Sequence, residues 1–249
     1  MVAVRPPLAR ITLQHPPLNI IDMTMMGELA SALAEIEARS DLSVVVLTGA
    51  GENFSAGVDV ADHTPDRVAE MLGKFHSVMR ALVSTKKVTI ASVHGHSLGG
   101  GAELAMVCDI VYTAENAVWG FPEIKLACYP PVAATALAAL VGQKHAADLI
   151  LTGRTITGEE AANIGLANRA MPEVEVEGAL EETVRQLSTL SSAALAVAKK
   201  AMYGWDSMHF DKGLARAEKI YLDDLMKTED VHEGINAFLE KRQPLWKGK

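Results

Sequence analysis

Residues 88–123 read VTIASVHGHSLGGGAELAMVCDIVYTAENAVWGFPE, and their punctuation decides the fold class. Val88 to Val93 is an apolar, partly β-branched run of strand length. It leads into His94-Gly95-His96-Ser97-Leu98-Gly99-Gly100-Gly101, whose glycines open backbone angles that other residues avoid. Ala102 to Val107 then reads as helix, and Ile110 to Tyr112 as strand again. Strand, glycine turn, helix and strand at this pitch describe an α/β core in which helices cover a sheet.

The alternation extends upstream. Ala9 to Leu13 reads as a strand closed by His15-Pro16-Pro17, and Met26, Leu29, Leu33 and Ile36 recur on one helical face. Val44 to Leu47 is a buried-strand run ended by Gly49 and Gly51, and Val68, Met71, Leu72, Phe75, Val78, Met79 and Leu82 form a second helical stripe. Beyond about residue 130 nearly everything reads as helix, near Val176–Ser188, Ala193–Tyr203, Lys212–Met226 and Glu229–Glu240. Thr157-Gly158-Glu159-Glu160 has the form of a capping box, and Gly165 stands where a C-terminal cap belongs. The sequence shows no internal repeat, low-complexity tract or Gly/Ser linker.

With 249 residues, 49% of them hydrophobic, the chain can bury a sizeable core and is not a disordered segment. Acidic residues outnumber basic ones 31 to 23, so there is no cationic surplus to make nucleic acid the main partner. Cys108 and Cys128 are too few for a disulfide scaffold and too far apart for a CxxC zinc pair, and read as buried thiols in a reducing compartment. No secretory h-region is visible at the N-terminus, and the longest apolar stretch, Val132 to Val141, is about half a membrane span. The expectation is a soluble, cytoplasmic protein with no membrane partner.

Three features could carry chemistry. The glycine turn before a helix N-terminus suits a phosphate or a developing oxyanion, or else simply permits close strand–helix packing. It is neither a P-loop nor a dinucleotide fingerprint. It also contains Gly95-His96-Ser97-Leu98-Gly99, the GxSxG of a nucleophile elbow, which raises a rival: an α/β-hydrolase-type serine esterase using Ser97, with Asp206 and His209 or His232. No HGGG-type oxyanion segment precedes it. The second feature is the carboxylate pair Glu103 and Glu123. Either could merely complement a helix start, but together beside an anion-holding turn they suggest general acid–base chemistry. The third is Phe54-Ser55-Ala56-Gly57-Val58-Asp59, in which Gly57 can turn the chain to present the Val58 N–H, unless this is a plain surface turn. His94 and His96 have no third ligand at a metal-binding spacing and read as turn or packing residues.

These residues, in this order, resemble the crotonase (enoyl-CoA hydratase/isomerase) superfamily over nearly the full chain. The matching pieces are Val45 to Gly49, Phe54 to Asp59, Leu98 to Ala105, Trp119 to Glu123, Leu151 to Arg154 and Ala237 to Arg242. The resemblance implies an α/β spiral of ββα units over residues 1–190 and a helical C-terminal region, 191–249, for trimerisation and active-site cover. It further implies a homotrimer or dimer of trimers, an acyl-CoA thioester substrate, and no metal or separate cofactor. The Val58 and Gly100 N–H groups would hold the thioester oxygen, Ala56, Val58 and Asp59 would meet the CoA, and Glu103 and Glu123 would be the catalytic pair. Both glutamates being present favours a hydratase over an isomerase, and counts against an inactive CoA-binding scaffold.

Two departures from the common pattern stand near the acyl pocket, Tyr129-Pro130-Pro131-Val132-Ala133-Ala134 and Phe121. Asn19 to Asp22, Asp62 to Asp66 and Tyr221 to Met226 resemble the branch of the family that hydrates cyclohexa-1,5-diene-1-carbonyl-CoA in anaerobic benzoyl-CoA degradation. That acyl group is the substrate the resemblance favours, ahead of a straight-chain enoyl-CoA.

Overall fold

The strands of the core form where apolar β-branched runs meet glycine. In the computed structural model, which describes residues 1–203 and 206–249 and the side chains of all these but 206–208, β1 (Val2–Arg5) and β2 (Leu8–Leu13) form a hairpin at one edge. Next come β3 (Val44–Gly49), β4 (Val88–Val93), β6 (Ile110–Ala114) and β9 (Arg169–Met171), all parallel to β2, in the order β1-β2-β3-β4-β6-β9. Every residue of β4 is buried, as a strand covered on both faces requires. A smaller sheet joins β5 (His96–Leu98), β7 (Val118–Gly120) and β8 (Thr155–Thr157).

The helices are α1 (Met23–Ala38), α2 (Val68–Ser84), α3 (Gly100–Met106), α4 (Pro131–Val141), α5 (Gln143–Thr152), α6 (Gly158–Asn163), α7 (Glu173–Ser188), α8 (Ser192–Tyr203), α9 (Asp206–Asp223) and α10 (Glu229–Leu239). Asp22 caps α1 by accepting from Met25 N at 2.8 Å, and the helix buries the face Met25, Met26, Leu29, Leu33 and Ile36. Isolated bridges Ile21↔Val58 and Ser55↔Ser97 extend the small sheet. A repeat therefore exists in the backbone. Strand β3, segment 55–58 and α2 make one ββα unit, and β4, β5 and α3 make the next. Each unit gives its first strand to the large sheet and its second to the small one, which is the spiral that the resemblance implies. The units share geometry rather than residues, so the sequence displays no repeat.

The helical end returns to the core: Leu214 and Tyr221 of α9 and Val231 and Ile235 of α10 are buried in the same apolar cluster. Gly234 lets α10 lie against the short 3₁₀ turn Pro122–Leu126, because a Cβ there would stand 2.3 Å from Leu126 O. Several boundaries differ from the sequence reading. Strands of three residues (β5, β7, β8, β9) carry too little periodicity to be recognised, and α9 begins before Lys212 and stops at Asp223, ahead of a separate turn at Leu225–Lys227. The capping box is half formed: Thr157 accepts from Glu160 N at 3.1 Å, but the Glu160 carboxylate pairs with Arg154 instead of reaching back. Gly165 does adopt positive φ, +86°. Among the described residues no helix is long and apolar enough to cross a membrane.

Candidate active site

Glu103 lies in the first turn of α3 and is almost wholly buried, 2% exposed. Its Oε1 accepts a 2.8 Å hydrogen bond from Ala133 N in the first turn of α4. Burial pushes its pKa up to about 7, against the opposing pull of the Ala133 and Val132 N–H groups. Glu123 sits on the 3₁₀ turn behind Pro122. Among the described residues its buried Oε2 has no partner, and a Cβ on Gly99 would stand 2.6 Å from its Oε1. Desolvation, and then the charge of Glu103, raise it to about 8. Two carboxyls shifted this way can hold one proton between them near neutrality, so that one acts as acid while the other acts as base.

The donors opposite are built by pairing segment 55–58 to β5. Ser55 N donates to His96 O at 2.9 Å and Leu98 N to Ser55 O at 3.0 Å. Ser55 Oγ accepts from Gly57 N and donates to Asn19 O, which fixes the turn. Gly57 has φ +106°, and a Cβ there would lie 2.9 Å from Leu98 O and 3.5 Å from Gly100 N. The Val58 and Gly100 backbones are thereby brought together, and among the described residues neither N–H has a partner. Gly100 N also belongs to the positive end of α3.

All of these groups line one cavity of about 470 Å³: Ala56, Val58, Gly100, Glu103 and Glu123 are on its wall, with Met71, Leu72, Phe75 and Leu126 supplying apolar surface. Asp59 is not on that wall; its carboxylate caps the turn Val60–His63 by accepting from Ala61 N at 2.9 Å. Phe121 is fully buried and is not on that wall, so it is a core residue and not a contact of the cavity. Tyr129, Pro130 and Pro131 do reach the cavity, and Ala133 of the same segment holds Glu103.

The serine esterase reading fails on geometry. Ser97 is inside β5, paired with Trp119, where an elbow would sit at a strand–helix corner. Its Oγ is buried and unpartnered, so no histidine is placed to activate it. His96 Nδ1 is engaged with Asn53 Oδ1 at 2.7 Å and His94 Nε2 with Gly51 O at 2.9 Å. The Asp206 side chain lies outside the described residues. Among the described residues no group of three or more His, Cys, Asp or Glu is placed to hold a metal.

Sequence reasoning named the segments of two contributors without the part each plays. The Ala133 N–H is a backbone group and leaves no mark in residue type. Tyr221 of α9 enters the sequence reading only within the stretch Tyr221 to Met226; it is buried on the cavity wall and shares a face with Leu214 two turns earlier, a seven-residue spacing that signals the burial.

A pair of desolvated carboxyls and two backbone donors unengaged among the described residues share one cavity on a ββα spiral, an arrangement suited to proton transfer beside an oxyanion. Comparison with known proteins gives the family: residues 5–249 match Enoyl-CoA hydratase/isomerase, and the chain belongs to it. It is 34% identical over 242 residues to cyclohexa-1,5-dienecarbonyl-CoA hydratase of Thauera aromatica, covering 97% of this chain and 93% of the relative. It is 35% identical over 237 residues to a probable enoyl-CoA hydratase of Mycobacterium bovis, covering 94% and 92%. The crystal structure of an enoyl-CoA hydratase from Mycobacterium avium subsp. paratuberculosis superposes with a TM-score of 0.89 at 26% identity, over 99% of this chain and 98% of that one. The fold is the crotonase fold.

The raised carboxyls make stability depend on pH. Between the ordinary carboxyl range and about pH 8 the folded state binds more protons at these sites than the unfolded chain, so stability falls as pH rises through that window. Glu103→Gln keeps an acceptor for Ala133 N and removes the ionisation. At pH 8 it is expected to be more stable than the native protein by roughly 2 kcal/mol, or about 4–8 °C in Tm. The difference should vanish near pH 4. Thermal melts at the two pH values check this, and parallel pH profiles for the two proteins would contradict it.

Proposed function

We propose that this enzyme adds water across a C=C bond conjugated to a CoA thioester, and that the acyl group is cyclohexa-1,5-diene-1-carbonyl. The observation that carries the reading is the shared wall: Glu103 and Glu123, both raised into the neutral range, line the same cavity as the free Val58 and Gly100 N–H groups. Addition of water to the conjugated bond pushes charge onto the thioester oxygen. Val58 and Gly100 N–H receive it, and a preorganised donor of this kind typically contributes ~3–4 kcal/mol to the barrier reduction. One glutamate takes a proton from water as the C–O bond forms, and the other delivers a proton to carbon, so the pair ends with the proton it began with. Resemblance to the family supports Ala56, with Val58, at the CoA end, and Asp59 caps the turn Val60–His63 that follows. Residues 1–190 then serve as the catalytic spiral and 191–249 as cover and as the contact surface of a cytoplasmic trimer or dimer of trimers.

The cyclic acyl group is supported by the Thauera aromatica relative and by the largely apolar cavity. The test is mass-resolved water addition to cyclohexa-1,5-diene-1-carbonyl-CoA and to crotonyl-CoA. Gain of one water on the diene at the higher kcat/KM is the expected result. Preference for crotonyl-CoA overturns the acyl assignment and keeps the mechanism. Release of free CoA without water addition overturns both.

A further inference from the structure

The cavity holds two tyrosines whose hydroxyls are in different situations. Tyr129 OH donates to Ala217 O at 2.5 Å and has no hydrogen left to offer. Tyr221, whose ring centre is 5.2 Å from that of Tyr129, is 1% exposed; among the described residues its hydroxyl has no oxygen or nitrogen partner, only the weakly accepting Cys128 thiol beside it. Tyr221, Cys128 and Glu123 line the same cavity wall, and the charge of Glu123 reaches the phenol. Glu123 Oε2 is the other orphaned polar atom on the same wall. A buried polar group without a strong partner is a standing penalty, retained where something that arrives can satisfy it. Two such groups, a phenol that can donate and a carboxyl that can accept or donate, converge on one cavity.

We infer that Tyr221 is a hydrogen-bond donor to the oxygen atom being added to the substrate, acting with Glu123 to hold first the water and then the hydroxyl of the product. The inference rests on the hydratase reading and adds a residue to it. The phenol keeps its own proton throughout: the new C–O bond forms from water, whose proton passes to a glutamate. What Tyr221 supplies is direction, fixing the lone pair of the water toward the carbon. Its contribution therefore grows from bound substrate to transition state to product, and is absent toward a ligand with no oxygen at that carbon.

The test is Tyr221→Phe in the intact protein. Hydration is expected to slow about 10- to 50-fold in kcat with KM changed less than threefold. Affinity for the hydroxyacyl-CoA product should fall about tenfold, while affinity for the corresponding saturated acyl-CoA stays the same. Thermal stability should be unchanged or higher, because the variant deletes a hydroxyl whose only partner is a weakly accepting thiol and keeps the ring. Equal kcat and an unchanged product-to-saturated affinity ratio overturn the inference. So does a loss of affinity shared by both ligands, or a fall in Tm, either of which makes Tyr221 a packing residue. Native protein that hydrates no acyl-CoA at all is failure of the hydratase reading itself, visible before any variant is compared.

Discussion

Glu123→Gln is expected to lower kcat for water addition by about three orders of magnitude, with Glu103→Gln close behind. Glutamine matches glutamate in shape but neither accepts the proton of water nor delivers one to carbon. In the native protein the two carboxyls are tuned to about 7 and 8 by burial and, at Glu123, by the neighbouring charge, so a single proton can move through the pair at neutral pH. Removing either member stops the exchange. The double variant should therefore be little slower than the slower single one, because groups that act as a unit are not additive. KM should change little, since the CoA end of the cavity is untouched. Steady-state hydration kinetics settle it: either single variant keeping a tenth of native kcat would remove that glutamate from the chemistry.

The second large effect is expected at Gly99, a residue with no functional group. Its backbone has φ +52° and ψ −126°, outside the regions open to L side chains, and a Cβ would meet Glu123 Oε1 at 2.6 Å. Gly99→Ala must therefore displace the carboxyl or the turn, and the turn also aims the Gly100 N–H. Backbone strain of this kind costs about 1–3 kcal/mol, which corresponds to a fall of about 5 °C in Tm for a chain of this size. Hydration should drop about 100-fold, because misplaced groups lose alignment at the reacting atoms. Gly73→Ala is the matched control. Gly73 is exposed on α2 with nothing within 4 Å of its added Cβ, so that variant should keep full activity and gain slightly in stability. Equal behaviour of the two variants would sink the argument.

What the sequence makes legible follows from how many residues carry each signal. Strands β3 and β4 are long apolar runs with glycine at or near their ends, and α1 and α2 repeat their buried face over four turns, so both kinds of element stand out. Glu103 and Glu123 are legible because each sits at a helix or turn start in a distinctive neighbourhood of glycine, aromatic and proline. The small sheet is not legible, since its strands are three residues long and owe their existence to partners elsewhere in the chain. Ser97 misleads for the same reason: five residues satisfy a hydrolase pattern, and only the pairing of β5 with β7 shows that its hydroxyl points at nothing. Ala133, which holds Glu103, acts through a peptide N–H that any residue but proline would offer.

The docking of α10 on the turn that carries Glu123 bears on how the enzyme comes into being. Gly234 rests against Leu126, and Phe238, Arg242 and Pro244 complete the rim of the cavity. A ribosome making this chain emits both glutamates long before those residues. The nascent spiral can pair its strands as they emerge, but the cavity has no floor under the Glu123 turn until α10 has cleared the exit tunnel. Synthesis thus imposes a schedule in which the strands of the scaffold come first and the cavity is completed by α10.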